Sequence, residues 1–442
     1  MRGTYNTQTL ILFLFSSLLI STLLICGTAA AQLDQTEPPQ APTTDSGYAA
    51  EVPVNSGFNF EVQSRAIRDD NILNDNAERQ SDFVSQESGL LNLWDKRPTW
   101  NIGLQYRPTI LLYQTATSLD SFNQDLKFDG DYHVTPRFHF EWDETFDDRA
   151  GLLEPSSNQY FSLSTGPPPS LNTTIQTPLA RELSDQSGVH ALYDTSMRGS
   201  FDLMGSYEVM TFSGVGGPSP DLLNTRGAAG GIGYQYRMTA RFTLGARYLF
   251  ESFNYGSTGS DDVHSMYVTM LWNMGPHVVL SLFGGPQYST ASGLLPLAMA
   301  SAGASGALWA PAAGGSLTLR SDQTVLQLAG QRLVTSGGGL LGTVTNSYAG
   351  GQLRHLFAHN WDVVLSGTNA ETVAIQGDPQ SGTINTQAAG VALEHPLFAS
   401  LNLHIAYDFL RQRVNQFVPL GTNVNRNQYT LALFYRFGEH RF

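Results

Sequence analysis

The sequence predicts an all-β fold in which antiparallel up-and-down strands close into a single transmembrane barrel. Three observations predict it: apolar and polar residues alternate over many long segments, short and long connections alternate between those segments, and charged residues are scarce. Only 14% of the 442 residues are charged, whereas about 25% is typical of soluble domains. A period of two places the two sets of side chains on opposite faces of a strand.

Residues 230–255 show the alternation most plainly. One face of this predicted hairpin carries Tyr234, Tyr236 and Leu244, and the other carries Arg237 and Arg247. A soluble β-sandwich would show the same alternation, but its strands are usually about five to six residues long. The segments here run to about 10–15 residues, which is the length that a tilted strand needs to cross a bilayer.

The pattern predicts eighteen strands. They lie at 57–67, 82–94, 99–113, 122–134, 137–147, 188–195, 199–213, 227–237, 240–255, 263–273, 277–290, 311–320, 323–335, 347–357, 361–374, 385–395, 400–413 and 427–437. The first hairpin is the weakest, because Glu87 shares a face with Phe83 and Leu91. If residues 57–94 lie outside the barrel wall, the count becomes sixteen. The tight turn at 95–99 resembles the other short turns, so eighteen is preferred.

Short connections alternate with long ones along the whole chain. The long class is 68–81, 114–121, 148–187, 214–226, 256–262, 291–310, 336–346, 375–384 and 414–426. Strict alternation places all short turns at one end of the barrel and all long loops at the other. In membrane barrels the short turns are periplasmic and the long loops extracellular.

Aromatic residues recur close to the short turns. This placement is typical of the girdle of aromatic side chains at a membrane interface. The predicted interface aromatics are Trp94, Trp100, Tyr236, Phe242, Trp272, Trp361 and Phe437.

The N-terminus has the pattern of a cleaved secretory signal. Residues 1–31 contain Arg2, an apolar stretch and an Ala29-Ala30-Ala31 cleavage site. An N-terminal membrane anchor and a lipoprotein processed at Cys26 are the alternatives. Cleavage would remove the only cysteine, so the mature chain could form no internal disulfide. Residues 32–56 are rich in Pro, Thr, Gln and acid and are predicted to be a disordered periplasmic lead-in, followed by the barrel at 57–442.

The chain resembles the outer-membrane β-barrel porins of double-membraned bacteria. The resemblance rests on the architecture, the closing strand YTLALFYRF at 429–437, the terminal Phe442 and tight turns such as HVTPRF at 133–138. It implies an outer-membrane location, contact with outer-membrane lipid and lipopolysaccharide, biogenesis by the barrel-assembly machinery, and a homo-oligomer as one possible state. The GEHRF ending departs from the usual C-terminus. Residues 68–83 and the strands after them are loosely similar to porins associated with exopolysaccharide export.

Charged residues on the polar face are predicted to line the lumen and are unevenly distributed. The acidic set is Asp125, Asp129, Asp131, Glu141, Asp143, Asp202 and Glu208, and the basic set is Arg237, Arg241, Arg247, Arg320, Arg354 and Arg436. Two interpretations stay open: opposed charged walls would bias ion passage, or opposite charges pair between neighbouring strands and fill a polar interior. The net charge of −14 slightly favours cations as solutes and argues against nucleic acid as a partner.

The longest loop, 148–187, occupies the position of the third external loop of general porins. By that resemblance it is predicted to fold into the pore and narrow it. The alternative is an exposed surface loop, because long loops are often variable.

These features predict a passive porin-like channel for ions and small hydrophilic solutes. A ligand-specific or exopolysaccharide-associated channel, or a receptor barrel without conductance, is the alternative. An enzyme is not expected, because no G-x-S-x-G, H-E-x-x-H or phosphate-binding motif is found. His133 and His139, with Asp131 and Glu141, could form an acid/base or metal cluster, but are expected to be polar lumen residues. No catalytic residue, metal or cofactor is predicted.

Overall fold

A computed structural model describes residues 55–150, 175, 177, 180–214, 222–292, 307–357, 360–375, 382–415, 423–438 and 440–441. The signal sequence at 1–31 and the lead-in at 32–56, apart from its last two residues, lie outside the described residues. Those two assignments therefore stay predictions.

Nineteen strands and two short 3-10 turns make up the described part of the chain. The strands are β1 (Asn55–Asp69), β2 (Asp82–Lys96), β3 (Trp100–Tyr113), β4 (Ser121–Thr135), β5 (Phe138–Ala150), β6 (Arg181–Asp194), β7 (Gly199–Ser213), β8 (Thr225–Arg237), β9 (Phe242–Asn254), β10 (Ser260–Gly275), β11 (Val278–Ser292), β12 (Ala307–Arg320), β13 (Thr324–Gly337), β14 (Leu341–Leu356), β15 (Asp362–Ala374), β16 (Thr383–Phe398), β17 (Leu401–Val414), β18 (Val424–Arg436) and β19 (His440–Arg441). The 3-10 turns are Thr117–Leu119 and Gly256–Thr258.

The sheet closes on itself. Each of β1 to β17 pairs antiparallel with the next strand, and β18 returns to pair with β1 from Glu61↔Arg436 to Asp69↔Gln428. The two-residue β19 pairs with Gly57 and Phe58 at the start of β1. The prediction of an antiparallel barrel of eighteen strands is confirmed, and the alternative of sixteen is wrong.

The first hairpin belongs to the wall in spite of its acidic residue. β1 and β2 pair along their whole lengths. Glu87 lies on the outer face, where the hydroxyl of Ser64 donates a hydrogen bond of 2.9 Å to its carboxylate and that of Ser85 one of 3.2 Å. These two donors partly replace the water that a carboxylate would lose on this face.

Contacts between strands that are not neighbours identify the inner face of the barrel. Asp202 on β7 contacts Arg247 on β9, for example, across a glycine of β8. The opposite face exposes large apolar side chains such as Leu203 (58%) and Met266 (62%). Within the described part of the chain, no helix is both long and apolar enough to cross a membrane.

Short and long connections alternate around the barrel as predicted, with two exceptions. The connection between β9 and β10, residues 255–259, is no longer than the short connection 357–361 between β14 and β15. Only residues 338–340 separate β13 from β14, whereas the sequence predicted a long loop at 336–346. The two strands run on beyond the point where β13 last pairs with β12, at Ala313↔Arg332. This extension leaves the wall.

Candidate functional site in the barrel interior

The tip of the β13–β14 hairpin lies inside the barrel. Side chains on both faces of residues 333–341 are buried, whereas the other strands alternate between more and less exposed positions. We call residues 333–344 the inner hairpin. A strand buried on both faces must be packed on both sides, and the contacts show what packs against it.

One side of the inner hairpin is bonded to the wall formed by β9 to β11. The backbone N–H of Val334 donates a hydrogen bond of 3.0 Å to Oε1 of Gln287 on β11. The hydroxyl of Thr343 donates to the carboxylate of Asp261 on β10, and it lies 3.0 Å from the hydroxyl of Tyr255. Val334 also packs against buried apolar residues of β9 and β10. These bonds hold the hairpin against the inner wall.

The turn of the inner hairpin reaches β7. Leu340 and Leu341 pack with Met210 and Phe212 of β7 in a buried cluster. Gly339 has φ of +85°, a conformation that favours glycine, and a Cβ at this position would overlap the Phe212 ring. The sequence Gly337-Gly338-Gly339 therefore allows the sharp turn and the close approach to the wall.

The described end of the long loop between β5 and β6 meets the same cluster. Ile175 and Ala180 are buried with Leu340 and Phe212. The predicted loop 148–187 is shorter than expected, because β5 runs to Ala150 and β6 begins at Arg181. Its centre at 151–174 lies outside the described residues, so its entry into the pore stays a prediction there.

Two acidic residues face each other on the inner wall of β4 and β5. Asp129 and Asp143 are directly opposite in the ladder, and both are exposed to the interior. Gly103 and Gly188 lie beside them on the outer neighbouring strands, and a Cβ at either glycine would overlap the adjacent carboxylate. The two carboxylates therefore lie along the wall over the glycines. Neither forms an ion pair with a described residue.

Other predicted lumen charges form a connected network from β5 to β9. Nδ1 of His190 lies 3.2 Å from Oε2 of Glu141, and Nε2 of the same ring contacts Asp202. Asp202 is 1% exposed and also accepts a hydrogen bond from Arg247. At the edge of this network Nε2 of His133 lies 3.2 Å from Oδ2 of Asp131. In this network opposite charges pair between neighbouring or next-neighbouring strands, as in the second of the two interpretations of the lumen charges.

The remaining predicted arginines divide into two groups. Arg354 contacts Asp362 and lies 3.6 Å from Glu394, and Arg436 lies 3.4 Å from Glu61. Arg237 and Arg320 occupy the last positions of β8 and β12 on the inner face, and Arg241 is in the turn between β8 and β9. Glu208 is buried on the inner face of β7.

Two further ion-pair groups on the inner face were not predicted. Arg149 donates to Asp125 at 2.9 Å and to Asp147 at 2.7 Å. Arg426, only 5% exposed, donates to the fully buried Asp69 at 2.6 Å. Arg426 was missed because the predicted last strand begins at residue 427, whereas β18 begins at Val424; within β18, Arg426 has the same parity as Arg436.

Six of the seven predicted interface aromatics lie on the outer face or directly beside it at the short-turn end. They are Trp100, Tyr236, Phe242, Trp272, Trp361 and Phe437. For Trp94 the prediction is wrong, because the register places it opposite Gly57 and Gly103 on the inner face. Leu93 beside it takes the outer position.

Among the residues that the structure describes, no group of three or more His, Cys, Asp or Glu side chains could hold a metal ion. The rings of His133 and His139 contact each other with their centroids 5.3 Å apart and their planes tilted by 36°. Their neighbouring carboxylates are Asp131, 3.2 Å from His133, and Glu141, 3.8 Å from His139.

No family model and no curated protein sequence matches the chain. Among solved structures it is similar to Pseudomonas aeruginosa OccK5 (OpdH), with 13% identity and a TM-score of 0.42 over 87% of this chain and 99% of that chain. It is also similar to Pseudomonas aeruginosa OccK2 (OpdF) in complex with glucuronate, with 11% identity and a TM-score of 0.45 over 86% and 97%. Acinetobacter baumannii OccAB4 gives 12% identity and a TM-score of 0.42 over 89% and 100%. Because these TM-scores are below 0.5, we infer nothing about solute or location from them. None of these three structures supports the likeness to exopolysaccharide-export porins.

Proposed function

We propose that the protein is an outer-membrane channel for the passive diffusion of small hydrophilic solutes and ions. The observation that carries this proposal is a closed barrel of eighteen strands with apolar side chains exposed outside and charged side chains exposed inside. A barrel of this strand count is too wide to be filled by the side chains of its own wall. Lipid covers the outer face, and water fills the interior beside the inner hairpin.

The inner hairpin is the constriction of this channel. It occupies the end of the barrel at which the long loops lie, and its contacts with β7, β10 and β11 fix its position across the interior. The end of the β5–β6 loop joins it through Ile175. A solute must pass beside these segments, so they set the size limit of the channel.

The interior favours cations over anions. Five of the inner arginines, Arg149, Arg247, Arg354, Arg426 and Arg436, are each in an ion pair with at least one carboxylate. Asp129 and Asp143 are exposed to the interior and have no such partner among the described residues. The paired charges cancel at a distance, whereas unpaired carboxylates leave a negative potential in the water-filled space.

Reconstitution in planar bilayers with solutes of graded size tests the channel. Stepwise conductance with a cut-off in solute size is expected. A variant in which residues 336–342 are replaced by a two-residue turn should conduct more and admit larger solutes, because the constriction is shorter. A barrel that shows no conductance in either form would instead be a structural or receptor barrel.

A ligand-specific channel is the second candidate, and the narrowing by the inner hairpin favours it. Specific binding would make solute flux saturate with concentration, whereas passive diffusion gives a linear dependence. Liposome-swelling rates measured against solute concentration separate the two.

A further inference from the structure

Two arginines lie two residues apart on the outer face of β17, at the long-loop end of the barrel. Arg411 and Arg413 fall within the last four residues of β17 and have the outward parity of Ile405, which is 41% exposed. Neither forms an ion pair with a described residue. Two outward acids at this end form ion pairs: Asp70 with Arg79, and Asp148 with Arg181 at 2.7 Å.

Amide side chains surround the two arginines. The register places Asn385 of β16 opposite Arg413, and it places Asn425 of β18 opposite Arg411. Gln387 is also opposite Arg411, and it donates a hydrogen bond of 3.3 Å to Asn369 of β15. Neighbouring strands are about 4.8 Å apart and alternate residues of one strand about 7 Å apart. One group the size of a phosphate can therefore be reached by both guanidinium groups and by an amide.

We propose that Arg411 and Arg413, with Asn385 and Asn425, form a binding site for the phosphate group of an outer-leaflet lipid. Guanidinium groups bind phosphate through paired N–H donors, and two of them form a stronger site than one. The site rests on the proposed function in one respect, namely that the outer face of the barrel meets lipid.

The surroundings favour a lipid over free phosphate. Below the arginines the outer face is apolar, with Ile405 on β17 and the side chains of Tyr429 (56% exposed) and Leu431 (48% exposed) on β18. Acyl chains of a lipid can pack on this surface while its phosphate lies at the level of the arginines. An arginine on the lipid face costs about 2–4 kcal/mol at the bilayer midplane but only about 0–1 kcal/mol near the interface, which agrees with their place at the end of the strand.

Lipid binding to the purified full-length protein in detergent micelles tests the site. The probes are diphosphoryl lipid A, lipid A without phosphate, and inorganic phosphate. The R411Q/R413Q variant should bind diphosphoryl lipid A about 10- to 100-fold more weakly, because each charge-assisted hydrogen bond contributes roughly a factor of ten or more. Arg332→Gln is the matched control: Arg332 is exposed on the outer face of β13, opposite Ala313 and Ser347 and without amide neighbours in those positions.

Equal affinity of the wild type and R411Q/R413Q for diphosphoryl lipid A would overturn the proposal. So would equal binding of the phosphate-free lipid, or inorganic phosphate binding as tightly as the lipid. The bilayer conductance of R411Q/R413Q should equal that of the wild type, because both arginines face outward. A barrel that fails to conduct but still loses lipid binding in this variant would refute the channel and leave the phosphate site standing.

Discussion

The hydroxyl of Thr343 on the inner hairpin donates a hydrogen bond to the carboxylate of Asp261 on β10. The two residues belong to strands that are not neighbours in the sheet, and Asp261 is 3% exposed. This bond attaches the hairpin to a part of the inner wall that is four strands away from β14.

Replacing Thr343 by valine should loosen the inner hairpin. The change removes one donor to a buried carboxylate and should cost about 1–3 kcal/mol. The expected result is greater open-channel current noise in single-channel recordings, because the hairpin moves in the passage. Thr343→Ser retains the hydroxyl and should behave as the wild type. Equal current noise in the wild type, Thr343→Val and Thr343→Ser would contradict the idea that this hydrogen bond holds the hairpin in place.

Replacing Leu340 and Leu341 by alanine should release the turn of the hairpin from β7. Both side chains are buried against Met210 and Phe212, and each truncation should cost about 2–5 kcal/mol. Single-channel conductance should rise as the constriction opens. Leu328→Ala is the control, since Leu328 lies on the outer face of β13 with 42% exposure and should leave conductance unchanged.

Neutralising Asp129 and Asp143 with asparagine should reduce the preference for cations. A unit charge about 10 Å from an ion in water changes its energy by roughly 0.4 kcal/mol, so two charges should change the permeability ratio about two- to fourfold. Reversal potentials in a salt gradient measure this ratio. Glu371→Gln, on the outer face of β15, is the control. If both variants keep the wild-type reversal potential, the two aspartates do not set selectivity.

Replacing Arg247 by glutamine should destabilise the barrel. Asp202 is 1% exposed and would lose a cationic partner, and breaking a buried ion pair typically costs about 3–5 kcal/mol. The midpoint of urea unfolding in detergent or lipid should fall accordingly. Arg320→Gln, at an exposed inner position near the short turns, should leave the midpoint unchanged. An equal shift for both variants would indicate a general effect of lost charge.

The wall of the barrel could be predicted from the sequence because each strand has an outer face and an inner face, and the two faces need different kinds of side chain. Alternation of apolar and polar residues located all eighteen strands that form the closed sheet. Alternation gave no information where a segment is packed against protein on both of its faces. Residues 333–344, LVTSGGGLLGTV, carry small and apolar side chains at both parities, so no period marks them as a hairpin that enters the interior.

Trp94 shows the same limit on a smaller scale. Leu93 and Trp94 are adjacent and both apolar, so the local pattern cannot decide which of them faces outward. Only the register with β1 and β3 decides it. Likewise, which lumen carboxylate pairs with which arginine depends on distances across the sheet. The sequence predicted which acidic and basic residues line the lumen, but it could not separate the paired Asp202 from Asp129, which forms no ion pair with a described residue.

The inner hairpin also has a mechanical consequence. A single-layered wall of eighteen strands with no filled core resists bending across its width poorly, and its cross-section could flatten into an ellipse. The hairpin leaves the wall at β13 and β14 and is fastened to β7, β10 and β11, so it acts as a strut between distant parts of the circumference. The same segment that narrows the passage thus keeps the cylinder round, and a variant without it would have a pore that is wider and also variable in shape.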